Sequence, residues 1–368
     1  MDSSRQGEIS MSKTVQVGRA ALDNSRIVEE PLAPLGEGEV RFKVESFAVT
    51  ANNVTYAVAG DAFGYWNFFP GQGDWGVVPM WGHAVVTESA HPGIAVGERA
   101  YGYLPMAEYL DVLPVNVTPG GFTDAAAHRQ PMSPIYNRYS RLAADPEHDP
   151  AREGERMVFG PLFRTGFMIE YFMRREGWFG AEQVVITSAS SKTAMGMASV
   201  VRQKSPHIPR IGLTSQGNLA FVRASGFYDA VLSYDQIDSL PQVPSVSVDF
   251  AGNSELLHRV HSVLGGNLKY SCTVGATHVG KGFGQANSAL PGPAPVLFFA
   301  PDHIVAAMKE LGPKAFGDDV AVSWRTFLDD VDSALRIDER DGLEAARDAF
   351  ADTLAGRADP AVGIVVRP

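Results

Sequence analysis

Cysteine is almost absent from this chain. Cys272 stands alone among 368 residues. That excludes a disulfide framework within the chain and a zinc site built from several thiolates. Long apolar runs are missing as well. No stretch approaches the roughly 20 residues that span a bilayer, and the polar N-terminus up to Thr14 lacks the apolar region of a signal peptide. Met11 is a candidate start, which makes residues 1–10 a disordered leader. Positive charge is in short supply: 31 Lys and Arg against 42 Asp and Glu leave a net charge of −11. This argues against nucleic acid or a membrane surface as partner. An anionic ligand must be held by local donors against that field. The rest is ordinary globular composition, 45% hydrophobic and 20% charged. It is long enough for two cores, and the cytoplasm is the default location.

Glycine is scarce at the place where it matters most. Residues 182–186 form a short β-branched strand pattern. The turn Thr187-Ser188-Ala189-Ser190-Ser191-Lys192-Thr193 follows, and a helical pattern begins at Met195. Strand, small-residue turn and helix make the first unit of a dinucleotide-binding fold, in which the pyrophosphate meets the helix N-terminus. Of the usual G-x-G-x-x-G only Gly196 remains. Serines, Lys192 and Thr193 stand in its place and can donate side-chain hydrogen bonds to phosphate. The pair Lys192-Thr193 also matches the end of a P-loop, whose preceding glycines are missing here.

The texture around this unit is that of an α/β chain. Residues 15–115 are β-rich, with period-two alternation over 39–49 and glycines and prolines at short intervals, as in a partly closed barrel. Residues 116–157 read as an irregular polar insert, whose stretches Ala127-His128-Arg129-Gln130 and Tyr136-Asn137-Arg138-Tyr139 either reach the cleft or pack at an interface or surface. A helix is expected over 164–178, opened by Arg164-Thr165. Strands at 183–187, 210–214, 230–233, 245–250, 270–274 and 296–299 alternate with helical segments and predict a doubly wound parallel sheet. From about residue 300 the pattern is helical through Leu354, and a strand over 362–366 closes the chain.

This layout resembles the medium-chain dehydrogenase/reductase superfamily along nearly the whole chain. Phe47 to Tyr56 followed by Gly60 looks like its Asn–x–x–Asp segment, and Pro79-Met80-Trp81-Gly82-His83-Ala84 like its Gly–His–Glu strand. Gly97-Glu98-Arg99-Ala100 resembles its Gly–Asp–Arg turn, and Val248 to Gly252 its fourth Rossmann strand. The resemblance implies a GroES-like catalytic domain over 1–157 and a Rossmann domain over 158–305. Residues 306–368 then return to the catalytic domain. Tyr56 and Ala84 replace the two acids of those motifs, and the cysteines of the zinc-binding branch are missing. The chain therefore resembles the zinc-independent, quinone-oxidoreductase-like side, and no metal is expected. A homodimer is implied by fold-level analogy alone.

The second Rossmann strand ends in Thr214-Ser215-Gln216-Gly217-Asn218 with no acid. A carboxylate there would receive the ribose 2′-hydroxyl of NAD and repel a 2′-phosphate, so NADP(H) is the expected cofactor. Arg223, further along, can add charge. Candidate cofactor contacts are Ser188, Ser190, Ser191, Lys192, Thr193, Thr214, Ser215 and Asn218, with Thr165 added by the resemblance. Without zinc, a hydride transfer needs another oxyanion or proton-donor group. The resemblance implies Tyr56, Tyr65 and Asn53 as the catalytic candidates, since they follow the strand that lines the active site in relatives, beside an apolar wall from Phe63 to Phe69. His258 and His261 share a helix face and read as surface residues. No G-x-S-x-G elbow occurs, which removes an ordinary α/β-hydrolase.

Two readings follow. One is an NADPH-dependent reductase of a carbonyl or activated alkene on an apolar or aromatic small molecule. The other keeps the dehydrogenase fold for nucleotide sensing or a non-redox step such as a lyase reaction, and the degenerate glycine motif favours it.

Overall fold

The computed structural model describes residues 10–130, 132–274 and 290–368. The expected leader falls almost wholly outside these residues. The chain divides into two compact units. One takes in the chain up to His148 together with Asp338–Ala358 and Ile364–Pro368; the other is Asp149–Ile337 with Asp359–Gly363. The fold is α/β, as the alternation of patterns predicts.

The second unit is built on a six-stranded sheet. Its strands are Gln183–Ile186, Arg210–Thr214, Ala230–Ser233, Ser245–Asp249, Leu268–Thr273 and Val296–Leu297, and every pairing is parallel. Counted along the chain, their order across the sheet is 3-2-1-4-5-6. That is the doubly wound Rossmann order, in which ligands bind where the order reverses, outside the carboxyl ends of the first and fourth strands. The strands are short, and the three central ones, Gln183–Ile186, Arg210–Thr214 and Ser245–Asp249, are buried throughout because helices cover the sheet; Val185, Leu213, Ile237 and Val260 share one core cluster.

The first unit is antiparallel. A three-stranded sheet carries Met11–Gly18, and a nine-stranded sheet carries Val40–Val49, Pro79–Ser89 and Arg99–Pro105. The bridge Thr14↔Ala107 and the bond from Val15 N to Met106 O join the two sheets into a partly closed barrel.

Several expectations need correction. The insert is not irregular: Pro114–Thr118, Gly121–Asp124 and Arg138–Arg141 are strands of the nine-stranded sheet. They are four or five residues long, too short for a period to stand out, and their order comes from Tyr139 stacked on Phe122 and tilted against Phe42. The expected helix at 164–178 runs instead over Glu153–Arg175, with Pro161 inside it. It gives way to Gly177, Trp178, Phe179 and Gly180, four consecutive residues of positive φ. The stretch after Phe47 turns into the helix Ala51–Val58, closed by a reciprocal cap between Thr50 and Asn53. The C-terminal helical run is broken by the strand Arg336–Asp341, whose charged sequence has no apolar alternation because it lies at the sheet edge.

Candidate functional site

The turn after the first parallel strand is shaped without its glycines. Ser188 takes φ +48°, the left-handed region that the motif's glycine normally supplies. Ser191 closes the turn from its own N–H to Ser188 O at 2.8 Å and caps the helix Lys192–Lys204 by accepting from Ala194 N at 3.3 Å. The helix therefore begins three residues before the sequence pattern suggests. Lys192 and Thr193 sit in its first turn, where N–H groups have no intrahelical acceptor and the helix dipole is positive.

Cross-strand bonds fix this turn in place. Ala189 N donates to Leu213 O at 3.0 Å, and the buried Tyr228 hydroxyl donates to Ala189 O at 2.8 Å. Gly212 makes the approach possible: a Cβ there would lie 2.9 Å from the Tyr228 ring and 3.0 Å from Ala189 Cβ. Asn218 Nδ2 donates to Ser190 Oγ at 3.0 Å, so two candidates 28 residues apart meet. Asn218 N in turn donates to Ser215 O at 3.0 Å. Thr214 is buried at the strand end, and its hydroxyl has no hydrogen-bond partner among the described residues.

The remaining candidates behave differently. Lys192 Nζ donates to Val362 O at 3.3 Å, with Asp359 nearby. Burial pulls its pKa down to about 8, and Asp359 offsets part of that effect. Arg223 reaches Val231 O at 3.4 Å rather than the Ser215 turn. Thr165 lies mid-helix and bonds Pro161 O at 3.1 Å. Its neighbour Gly166 packs so closely on the first helical turns that a Cβ would sit 2.5 Å from Met197 N and 3.0 Å from Thr193 O. Gly196 makes the reciprocal approach to Phe163.

At the reversal of strand order, the Thr187 hydroxyl donates to Asp249, and both side chains are buried. Asp249 also accepts from Ala251 N and Gly252 N, each at 3.1 Å. Neither residue was a candidate. The signal available in the sequence was a polar residue ending each of two apolar strands.

In the antiparallel unit, the candidates Tyr56 and Tyr65 belong to one aromatic cluster with Phe68, Trp81, Tyr103 and Tyr136. The Tyr56 and Tyr65 ring centroids are 4.7 Å apart. Tyr56 Oη accepts from Asn52 Nδ2 at 2.6 Å and from Trp81 Nε1 at 3.0 Å. Burial raises the Tyr56 pKa, and these donors partly offset that rise. Burial likewise raises Tyr65, whose hydroxyl lies 3.2 Å from that of Tyr136; this bond pulls Tyr65 back down and pushes Tyr136 further up. A phenol whose oxygen already accepts hydrogen bonds keeps its own proton available to donate. Asn53 uses its amide within the fold: Oδ1 accepts from Thr50 N at 2.6 Å and Nδ2 donates to Pro79 O at 2.8 Å. Tyr103 was not a candidate, and Tyr136 entered only within the stretch 136–139, read as reaching the cleft or packing at a surface. Tyr136 lay in the segment read as irregular, and strand register alone brings Tyr103 opposite Trp81.

Among the described residues, no group of three or more His, Cys, Asp or Glu gathers to hold a metal ion. His261 is buried rather than on the surface, bonded to Pro291 O and Ser271 Oγ at 2.8 Å each. No described helix is long and apolar enough to cross a membrane.

Solved structures share this fold at low identity. A protein assigned as an NADPH:quinone reductase from Mesorhizobium loti is 13% identical with a TM-score of 0.62, over 99% of this chain and 100% of that one. CurA from Vibrio vulnificus, in complex with NADPH, is 13% identical with a TM-score of 0.57, over 96% and 98%. A mutant of Etr1p in complex with NADP and crotonyl-CoA is 10% identical with a TM-score of 0.59, over 98% and 100%. No curated protein matches the sequence. Residues 47–359 match the family described as "Protein of unknown function (DUF2855)". The chain belongs to that family, and it carries the fold of the medium-chain dehydrogenase/reductase superfamily in divergent form.

Proposed function

We propose that this protein is an NADPH-dependent reductase that acts on a carbonyl or activated alkene without a metal. The observation that carries the proposal is the turn from Ser188 to Ser191 at the head of a 13-residue helix, on the first strand of a 3-2-1-4-5-6 parallel sheet. The turn suits a pyrophosphate. Small side chains bring backbone close, the first N–H groups of the helix have no intrahelical acceptor, and Ser190 and Ser191 add hydroxyls. At the end of the second strand, Ser215 and the Ser190–Asn218 pair offer neutral donors to a 2′-phosphate, with no carboxylate to repel it. The fold neighbours that hold NADPH or NADP support the same cofactor here.

Bound NADPH supplies hydride. The chain must supply the rest: orientation of the acceptor and a proton. Tyr56 is the proposed proton donor, because Asn52 and Trp81 both donate to its oxygen and so stabilise the charge that develops as its proton leaves. Tyr65 is the second phenol. Asn53 holds the helix bearing Tyr56 against the strand that starts at Pro79. The aromatic side chains of the cluster suit an apolar or aromatic acceptor. Lys192 contributes by securing the helix start rather than by gripping phosphate. A cytoplasmic location belongs to the same proposal.

The test is a fluorescence titration of purified protein with NADPH and NADH, followed by turnover with quinones, enones and aldehydes. Tighter binding of NADPH and oxidation by one of these classes are expected. No binding of either nucleotide at high micromolar concentration overturns the proposal. Binding without turnover favours a nucleotide sensor or a non-redox enzyme on the same fold.

A further inference from the structure

Among the described residues Arg129 is the largest fully buried side chain of the antiparallel unit, and nothing described so far uses it. Its side chain is 1% exposed. Nη1 donates to Asp124 Oδ2 at 2.8 Å and to Tyr139 Oη at 2.9 Å; Nε donates to Asn137 Oδ1 at 3.1 Å; Nη2 donates to Tyr136 O at 2.9 Å. The Asp124 carboxylate is also satisfied from the backbone, by Leu113 N and Ala126 N, each at 3.0 Å. A charge buried this completely is tolerated only when its hydrogen bonds are filled, and a looser pair would be replaced at no cost by apolar packing.

The bonds lead to two tyrosines of the aromatic cluster. Arg129 holds the Tyr136 backbone directly. It also holds Tyr139, whose hydroxyl donates to Tyr103 O at 2.6 Å. Gly102 is needed for this arrangement, since a Cβ there would lie 2.4 Å from the Tyr139 ring. The Tyr136 hydroxyl then lies 3.2 Å from that of Tyr65. Phe68 and Phe69, from the segment that carries Tyr65, pack their rings 5.5 Å and 5.1 Å from the guanidinium carbon. One buried cation thus ties both sides of the Tyr65–Tyr136 contact.

We propose that Arg129 and Tyr136 are positioning residues for Tyr65. Tyr136 donates its hydroxyl hydrogen to Tyr65 Oη, which leaves the Tyr65 proton free for a bound acceptor, and the Asp124–Arg129 pair fixes Tyr136 for that task. The segment read from sequence as an irregular insert therefore completes the site with a second oriented phenol beside Tyr56. The catalytic consequence rests on the reductase reading above; the positioning itself does not.

The experiment uses full-length protein labelled with tyrosine carrying carbon-13 at the phenol carbon. Tyr65→Phe identifies the Tyr65 signal. Tyr136→Phe is expected to shift that signal, and Arg129→Lys is expected to shift it in the parent protein but not in the Tyr136→Phe background. A Tyr65 signal unmoved by Tyr136→Phe overturns the proposal, and so does an Arg129→Lys shift of equal size in both backgrounds. Where Arg129→Lys fails to fold, the Tyr136→Phe arm decides alone. If the parent turns over a panel substrate, Tyr136→Phe is expected to lower kcat roughly 10-fold, the scale of one lost charge-assisted hydrogen bond, with the NADPH KM unchanged. Absence of turnover in the parent removes the reductase reading and leaves the signal coupling to decide the positioning.

Discussion

Lys192 spends its ammonium on the carbonyl of Val362, 170 residues away, at 3.3 Å. The bond joins the first turn of the cofactor-type helix to the short segment Asp359–Gly363, which belongs to the same compact unit. A side chain that sequence reasoning assigns to phosphate thus also meets a backbone carbonyl of its own unit.

Lys192→Met keeps the stem and removes the charge. Because burial lowers the folded pKa from 10.5 to about 8, the unfolded chain binds the extra proton between those values. Stability attributable to Lys192 is thus lowest below pH 8 and rises as pH climbs from about 8 toward 10.5. Urea unfolding of both proteins across this range should show a stability difference that narrows or inverts with pH in favour of the parent. NADPH affinity should change less than about threefold; a loss of tenfold or more would return Lys192 to the phosphate site.

Ser188 holds φ +48° where a side chain is strained. Ser188→Gly relieves that strain but raises the conformational entropy of the unfolded chain, so its stability should stay within about 1 kcal/mol of the parent. Ser188→Val puts a β-branched residue in the left-handed region and should cost about 1–2 kcal/mol more than glycine. Denaturant midpoints measure both, and equal midpoints would show that the turn relaxes to another conformation.

Ser215→Asp tests the cofactor preference. A carboxylate at the end of the second strand repels a 2′-phosphate and can accept from a ribose 2′-hydroxyl. NADPH should bind at least about tenfold more weakly, with NADH unchanged or improved, since one unfavourable charge pair near a surface is worth roughly a kcal/mol or more. Parallel losses for both nucleotides would mean that Ser215 lies away from the ribose.

Tyr56→Phe removes the proposed proton and the acceptor for Asn52 and Trp81 while keeping the ring in its cluster. General acids contribute on the order of 100-fold or more, so kcat should fall by about that factor with nucleotide affinity intact. A fall below threefold in steady-state turnover would transfer the role to Tyr65 or to solvent.

The parallel sheet was legible because its strands are short β-branched runs at regular spacing with helical patterns between them. The turn at 188–191 was legible because strand, small residues and helix follow in order. The three strands contributed between 114 and 141 were not legible, because so few residues do not reveal a period and their order depends on Arg129, Phe122 and Tyr139 packing from separate positions. Tyr103 was missed and the partner of Tyr136 was not legible for the same reason: they meet Tyr56 and Tyr65 only after the strands are in register.

By itself, then, the sequence determined the α/β class, the doubly wound sheet and the missing acid after Thr214, all of which are local patterns or compositions. Only the tertiary structure decided that Lys192 turns to Val362, that Asn218 meets Ser190, and that Trp81 and Tyr136 meet two phenols. Those relationships join residues between 25 and 170 positions apart. Hydrogen bonds over such distances are chosen by the packing of whole elements, which no single stretch of chain encodes.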